Sequence, residues 1–283
     1  MGEGAVGPGL EAAFFDLDKT VIARSSTVAF SRPLHAGGLL TRSAMLRSAY
    51  AHFIYHASGA DHTQMEHMRD LVSRMVIGWE VQQVSDIVAT TLAELIAPIV
   101  YEEATALIAE HKAAGRDVVI VSASGIELVE PIGALLGVDH VVATRMVIDE
   151  GRYTGAIEYY AYGVNKAEAI RELAAERGYH LERCYAYSDS ITDLPMLETV
   201  GHPVVVNPDK GLRREAMIRD WPVQDFVRPV SLRPRFPAQK TGTAALGTAA
   251  AGAAAGLVWY ASRRKDSGRE AARVRRAPSR PES

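Results

Sequence analysis

The segment Ala12-Ala13-Phe14-Phe15 runs straight into Asp16-Leu17-Asp18-Lys19-Thr20. Four consecutive apolar residues, with no polar alternation, read as a strand buried on both faces, the pattern of a parallel sheet covered by helices. Parallel strands need crossover connections, so this short run points to an α/β architecture. Two carboxylates at the end of such a strand lie where open α/β sheets bind ligands. There the first can act as a nucleophile and the second can trade a proton with a leaving group. The competing reading of Asp16 and Asp18 is a plain turn or helix cap.

Three later segments, in chain order, weigh against the plain turn. Asp117-Val118-Val119-Ile120-Val121-Ser122-Ala123-Ser124-Gly125 is a second buried strand, ending in a hydroxyl and followed by a helix start. A hydroxyl beside the backbone N–H groups of a helix N-terminus makes an anion cradle. Lys166 opens a helical stretch from Asn165 to Arg177, whose apolar face is Ala167, Ile170, Leu173 and Ala174. Cys184-Tyr185-Ala186-Tyr187-Ser188-Asp189 is a third strand that ends in carboxylates, with Asp193 four residues beyond Asp189. Each piece alone has a structural explanation as a cap, a solvated lysine or an acidic loop.

Taken together, these residues resemble the four motifs of the haloacid dehalogenase superfamily, over roughly residues 10 to 225. The stretch Tyr187 to Leu197 is similar to the fourth motif of its phosphoserine-phosphatase-like branch, subfamily IB. The resemblance implies a Rossmann-like parallel sheet flanked by helices, with an all-helical cap inserted after the first motif. It also implies site roles. Asp16 would be the nucleophile, Asp18 the general acid/base and Lys166 their charge partner. Thr20, Ser122 and Lys166 would bind the phosphoryl group. Asp16, Asp18 (through a nearby main-chain carbonyl) and Asp189 would hold Mg2+, with Asp193 supporting the metal site. The implied activity is hydrolysis of a small phosphomonoester through an aspartyl-phosphate. A phosphomutase or phosphotransferase, or a non-catalytic regulatory protein of the same fold at the membrane, are the alternatives.

The chemistry accounts for these residue types, because phosphoryl transfer is mostly positioning and charge neutralisation. An oxygen-only ligand set suits magnesium better than zinc. A carboxylate at Asp18 favours phosphatase or mutase chemistry, since dehalogenases lack one there and transport ATPases carry threonine. One departure concerns the substrate. Phosphoserine phosphatases carry a glutamate shortly after the first motif that meets the substrate's amino group. Val21-Ile22-Ala23-Arg24-Ser25-Ser26-Thr27 has no acidic residue, so phosphoserine is one candidate among several.

The pattern divides the chain into a catalytic core (10–23 and 101–225), a helical cap (24–100), a linker (226–240), an apolar helix (241–261) and a basic tail (262–283). Helices are expected over Thr41–Ala57, Asp61–Val76 and Val81–Val100, forming a lid that excludes water from the intermediate. Arg42, Arg47, Arg69 and Arg74 could meet an anionic group, although a solvated helix face explains each as well. In the core, helices are expected over Glu102–Ala114 and Ile126–Leu136, and strands over Val138–Ile148 and Val204–Val206. Asp149 to Gly155 reads as a hairpin turn. Asn207 and Asp209, beyond the last strand and near the expected site, read as a turn, with a supporting role at the site as the alternative.

A net charge of −3 gives no electrostatic case for nucleic-acid binding. A single cysteine, Cys184, excludes an internal disulfide and fits a reducing cytoplasm. Residues 241–261 carry no charge, contain Gly252-Ala253-Ala254-Ala255-Gly256 and end near Trp259-Tyr260, with Arg263, Arg264 and Lys265 following. That is long enough to cross a bilayer core of about 30 Å, and it ends in interfacial aromatics and cations. A flexible Ala/Gly tail is the competing reading. The expectation is a cytoplasmic catalytic domain anchored to the cell membrane, acting on a small phosphate ester.

Overall fold

In the computed structural model, which describes residues 10–41, 69–70 and 73–229, the first apolar run forms β1 (Ala12–Phe15), buried along its whole length. It lies in a seven-stranded sheet with β2 (Asp117–Gly125), β3 (His140–Asp149), β4 (Arg152–Tyr159), β5 (Tyr185–Ser188), β6 (His202–Val206) and β7 (Val223–Gln224), in the order β4-β3-β2-β1-β5-β6-β7. β1 pairs in parallel with β2 on one side and β5 on the other, with Phe15 opposite Ile120 and Tyr187. The chain builds outward from β1 in one direction through β2 and β3, then in the other through β5, β6 and β7. This reversal of strand order opens a crevice at the carboxyl ends of β1 and β5.

The helices are α1 (Ser26–Ala36), α2 (Val81–Ile96), α3 (Glu102–Ala113), α4 (Ile126–Leu136), α5 (Val164–Arg177), α6 (Leu194–Leu197) and α7 (Lys210–Arg219). Alternate residues of β1 serve opposite faces of the sheet, as the two-residue strand period requires. Ala13 and Phe15 pack with Ile108 of α3 and Val129 and Ile132 of α4. Ala12 and Phe14 pack with Ile170 and Ala174 of α5 and Leu212 and Ala216 of α7. Burial on both faces explains why the strand sequence is uniformly apolar.

The expected α4 is observed at Ile126–Leu136, closed by Gly137 in the left-handed region. The expected Val81–Val100 helix ends at Ile96 and continues as a 3-10 turn, Ala97–Ile99, where Pro98 cannot extend the α-helical ladder. The hairpin turn is shorter than expected. Only Glu150 and Gly151 form it, both with positive φ, and Arg152 to Gly155 already belong to β4. β4 pairs antiparallel with β3, so the otherwise parallel sheet has an antiparallel edge.

Between β1 and α3 the described elements are helical: α1, residues 69–70 and 73–76, and α2. The two crossings into and out of this insertion pair with each other. Ala23 N donates to Ile99 O at 2.7 Å and Tyr101 N to Val21 O at 2.9 Å, with Ile22 opposite Val100. The expected helix Thr41–Ala57 lies outside the described residues beyond Thr41, as does the first half of Asp61–Val76. The segment 241–261 and the tail 262–283 also lie outside them. Among the described residues, no helix is long and apolar enough to cross a membrane.

Residues 226–229, at the start of the expected linker, are strapped onto the core. Phe226 exchanges two hydrogen bonds with the Asn207 amide, at 2.9 and 3.1 Å. Glu102 N donates to Arg228 O at 2.8 Å, and Tyr101 bridges to Pro229. The strap therefore sits against the same residues that close the outgoing crossing.

Beneath the end of β1, His111 of α3 is buried between Phe15, Tyr185 and Tyr187, its Nε2 2.8 Å from the Tyr187 hydroxyl. Burial, with Arg116 adding to it, pushes its pKa down to about 4. An unfolded chain protonates this histidine below about 6.5, whereas the folded chain resists until about 4, so the unfolded state binds more protons between those values. The His111 contribution is therefore complete above pH 6.5 and lost as pH falls to 4. Urea unfolding of wild type and His111→Gln across that window should show wild type losing up to about 3 kcal/mol more than the variant. Parallel pH profiles would show that the imidazole is not held neutral by the fold.

Candidate active site

The carboxyl ends of β1, β2 and β5 converge on one buried point. Asp16 N donates to Tyr187 O at 2.9 Å, so Asp16 still belongs to the β1–β5 ladder and its direction is fixed by the sheet. The chain then coils tightly, with Val21 N and Ile22 N both donating to Leu17 O at 3.0 Å and Lys19 in the left-handed region. This coil buries Thr20. In β2 the pairing with β3 slips between Ser122 and Gly125, which takes Ala123 and Ser124 out of the ladder. Ser122 is buried at that point, and its Oγ accepts from Ser124 N at 3.2 Å. Ser188 ends β5, Asp189 follows, and a 3-10 turn Ile191–Asp193 returns Asp193 to the interior.

Lys166, in the first turn of α5, reaches this point with its ammonium fully enclosed. Nζ lies 2.7 Å from Asp16 Oδ1 and 2.8 Å from Asp193 Oδ2, and the lysine is 1% exposed. Ser188 Oγ donates to the same Asp193 oxygen at 2.7 Å. Burial alone would pull Lys166 down, yet Asp16 and Asp193 more than offset it and hold it above its ordinary value. Burial raises Asp16 to about 7, with Lys166 opposing the rise and Asp193 and Asp18 adding to it. Burial also raises Asp189 well above the usual carboxylate range, and the negative charge of Asp16 adds to the rise.

The site thus encloses more carboxylate than one ammonium balances. Among the described residues, no three His, Cys, Asp or Glu side chains form a ready-made metal cage. Asp16 and Asp189 alone give two hard oxygen donors, and magnesium is commonly held by one or two carboxylates plus water and substrate oxygens. The donor set fits that ion. Thr20 Oγ1 adds a buried hydroxyl with no hydrogen-bond partner among the described residues.

Asp18 is placed differently from Asp16. Its Oδ1 accepts from Ser26 N at 2.8 Å, and its Oδ2 lies 3.1 Å from Ser124 Oγ, 3.3 Å from Ser26 Oγ and 3.4 Å from Ser25 Oγ. The Asp18 side chain therefore caps the N-terminus of α1, where Ser25 makes no cap of its own.

Asp209 is more than the turn residue its sequence suggests. Oδ1 caps α7 through Leu212 N at 2.8 Å, while Oδ2 accepts from Ile191 N at 2.9 Å and Ser190 Oγ at 3.2 Å. Its own N–H donates to Asp189 O at 2.7 Å, which fixes the loop carrying Asp189. A residue three before the first apolar position of a helix signals the cap. Nothing local signals the hold on a loop nineteen residues earlier. Among the sequence-derived arginines, Arg69 lies over the Tyr160 ring at 6.0 Å and beside Asp70, lining a cavity of about 410 Å³ with Tyr160 and Glu158.

With this geometry in view, the comparisons are consistent. Residues 13–198 match the haloacid dehalogenase-like hydrolase family. The "Inhibition of morphological differentiation protein" of Streptomyces azureus is 63% identical, covering 90% of this chain and 94% of its own. A probable phosphatase of Mycobacterium tuberculosis is 59% identical, covering 90% and 89%. A phosphoserine phosphatase crystallised in apo form shares the fold at a TM-score of 0.55 and 20% identity, covering 78% of this chain and 94% of that one. The chain belongs to the haloacid dehalogenase-like hydrolases and is a phosphatase-type member of that family.

Replacing Lys166 by Met removes the ammonium from two buried carboxylates. The variant should lose about 3–5 kcal/mol of stability in urea unfolding near neutral pH. Wild-type stability would mean that Asp16 and Asp193 carry no charge in the fold.

Proposed function

We propose that this phosphatase hydrolyses a small phosphate monoester through an aspartyl-phosphate on Asp16, with magnesium as cofactor. The observation that carries the reading is the division of the Asp16 carboxylate. Oδ1 is held by Lys166, and among the described residues Oδ2 takes no hydrogen bond. One oxygen is thus anchored while the other is left to attack phosphorus. Lys166 orients the nucleophile and faces the incoming phosphoryl oxygens, for which Ser122 and Thr20 supply hydroxyl donors. Asp193 keeps the ammonium in place. Asp16 and Asp189, with the main-chain carbonyl of Asp18, would hold the magnesium ion, whose charge when bound offsets the repulsion between Asp16 and an anionic ester.

In the first step a bond forms between Asp16 and phosphorus as the ester P–O bond breaks, and Asp18 protonates the leaving oxygen. In the second, Asp18 takes a proton from water as that water attacks the aspartyl-phosphate, releasing phosphate and freeing Asp16. Asp16→Asn should fold normally and release no phosphate from any ester, measured by inorganic phosphate assay and circular dichroism. Chelation by EDTA should silence wild type, and magnesium should restore it. Turnover by the asparagine variant, or full activity in metal-free buffer, would defeat this mechanism.

The substrate class follows from what surrounds Asp18. Ser25 and Ser26 occupy the stretch where the phosphoserine-specific branch carries its amine-binding glutamate, and here both hydroxyls face Asp18. Esters lacking an amino group should therefore be hydrolysed as well as phosphoserine. A kcat/KM preference for phosphoserine of about a thousandfold, roughly 4 kcal/mol of transition-state discrimination, would show that another carboxylate meets the amine.

The charge-free segment 241–261, with Lys240 before it and Arg263, Arg264 and Lys265 after it, supports a tether that leaves the catalytic part in the cytoplasm. The full chain should then sediment with membranes and resist carbonate extraction. Recovery of all the protein in the soluble fraction would remove the tether from the proposal without touching the site.

A further inference from the structure

Three serine hydroxyls and one backbone N–H surround Asp18, and they come from two parts of the fold. Ser25 and Ser26 open α1, the first helix of the inserted region, whereas Ser124 follows the slip in β2 on the catalytic sheet. Ser26 Oγ and Ser124 Oγ are 2.8 Å apart, and both lie within hydrogen-bond reach of Asp18 Oδ2. Each hydroxyl has one proton. At that separation one serine donates to the other, and the second donates to Asp18, so the pair forms a short chain ending on the carboxylate. Ser26 is fully buried and Ser124 half-buried, so water does not readily replace them.

The Ser26 N–H bond at 2.8 Å adds the N-terminus of α1, whose exposed N–H groups favour an anion. The Ser26 N–H, the Ser25 hydroxyl and whichever hydroxyl ends the serine pair present donors to the carboxylate. The arrangement matches Asp18 after it has given its proton to a leaving group, and it fixes which way the carboxyl points before that transfer. One end of the cradle belongs to the sheet and the other to α1, so it is complete only when the start of α1 sits where it does here.

We propose that Ser124 and Ser26 are positioning residues for Asp18, joining the sheet to the inserted helices through a shared hydroxyl pair that sets the orientation in which Asp18 passes its proton. The inference rests on the reading of Asp18 as the general acid. It concerns the step in which the P–O bond to the leaving group breaks, its electron pair stays on the leaving oxygen, and the Asp18 proton moves to that oxygen. An alkoxide leaving group needs that proton, whereas p-nitrophenolate departs without it. A disturbed acid thus shows in kcat/KM for an alkyl ester and much less in kcat/KM for an aryl ester.

The experiment compares glycerophosphate with p-nitrophenyl phosphate, in the full-length protein with magnesium, for wild type, Ser124→Ala, Ser124→Thr, Ser26→Ala and Asp18→Asn. Ser124→Ala and Ser26→Ala should each lower kcat/KM for glycerophosphate at least about tenfold more than for p-nitrophenyl phosphate. Ser124→Thr, which keeps the hydroxyl, should restore the wild-type ratio. Retained hydrolysis of the aryl ester shows in the same assay that the variants fold. Equal losses on both substrates, or no loss on either, would overturn the positioning role. Asp18→Asn separates the two levels. If it leaves glycerophosphate turnover intact, the acid itself is misassigned. If it abolishes that turnover while the serine variants keep the wild-type ratio, only the serine assignment fails.

Discussion

The ammonium of Lys166 between Asp16 and Asp193 is the interaction on which the rest of the site depends. Without it, three aspartates, counting Asp189, would share a space from which water is largely excluded, and burial already raises Asp16 and Asp189. A buried charge left uncompensated costs several kcal/mol, so the lysine is a structural requirement as well as a chemical one. Its position is in turn set by α5, whose Ile170 and Ala174 pack on Ala12 and Phe14. The apolar run that makes β1 a strand therefore also fixes where the counter-charge of the following carboxylate arrives.

The same economy appears at the other carboxylates. Asp209 caps α7 with one oxygen and fixes the Asp189 loop with the other. Asp18 caps α1 and sits among the hydroxyls of two different segments. In both cases a helix end that needs an acceptor is satisfied by a side chain placed at the crevice. Helix ends and the arrangement of the crevice are thus maintained by the same side chains, and a substitution at either aspartate acts on both.

Much of this was legible before any coordinates. Buried parallel strands declare themselves by uniform apolarity, and residues that follow them directly, such as Asp16 and Asp189, inherit their place from the strand. Periodicity placed Lys166 only at the start of a helix; its pairing with Asp16 was an implication of the resemblance to the haloacid dehalogenase motifs. What escaped was of two kinds. β4 has few of the long apolar residues that mark a buried strand, because it is an edge strand with half its side chains in solvent, so its first residues were absorbed into a turn. Ser26, Ser124 and Asp209 act through partners 98, 106 and 18 residues away, and ordinary serines and an ordinary N-cap carry no local mark of such contacts.

The strap at Phe226–Pro229 gives the fold a mechanical property. It is stitched to Asn207 at the end of β6 and to Tyr101 and Glu102 just after the outgoing crossing of the helical insertion. A pull on the chain beyond Pro229 is delivered first to that crossing, and from there to the paired Val21–Ala23 segment that follows Asp16 and Asp18. Tension on the chain beyond Pro229 and the pairing of the two crossings therefore share one load path only a few residues long.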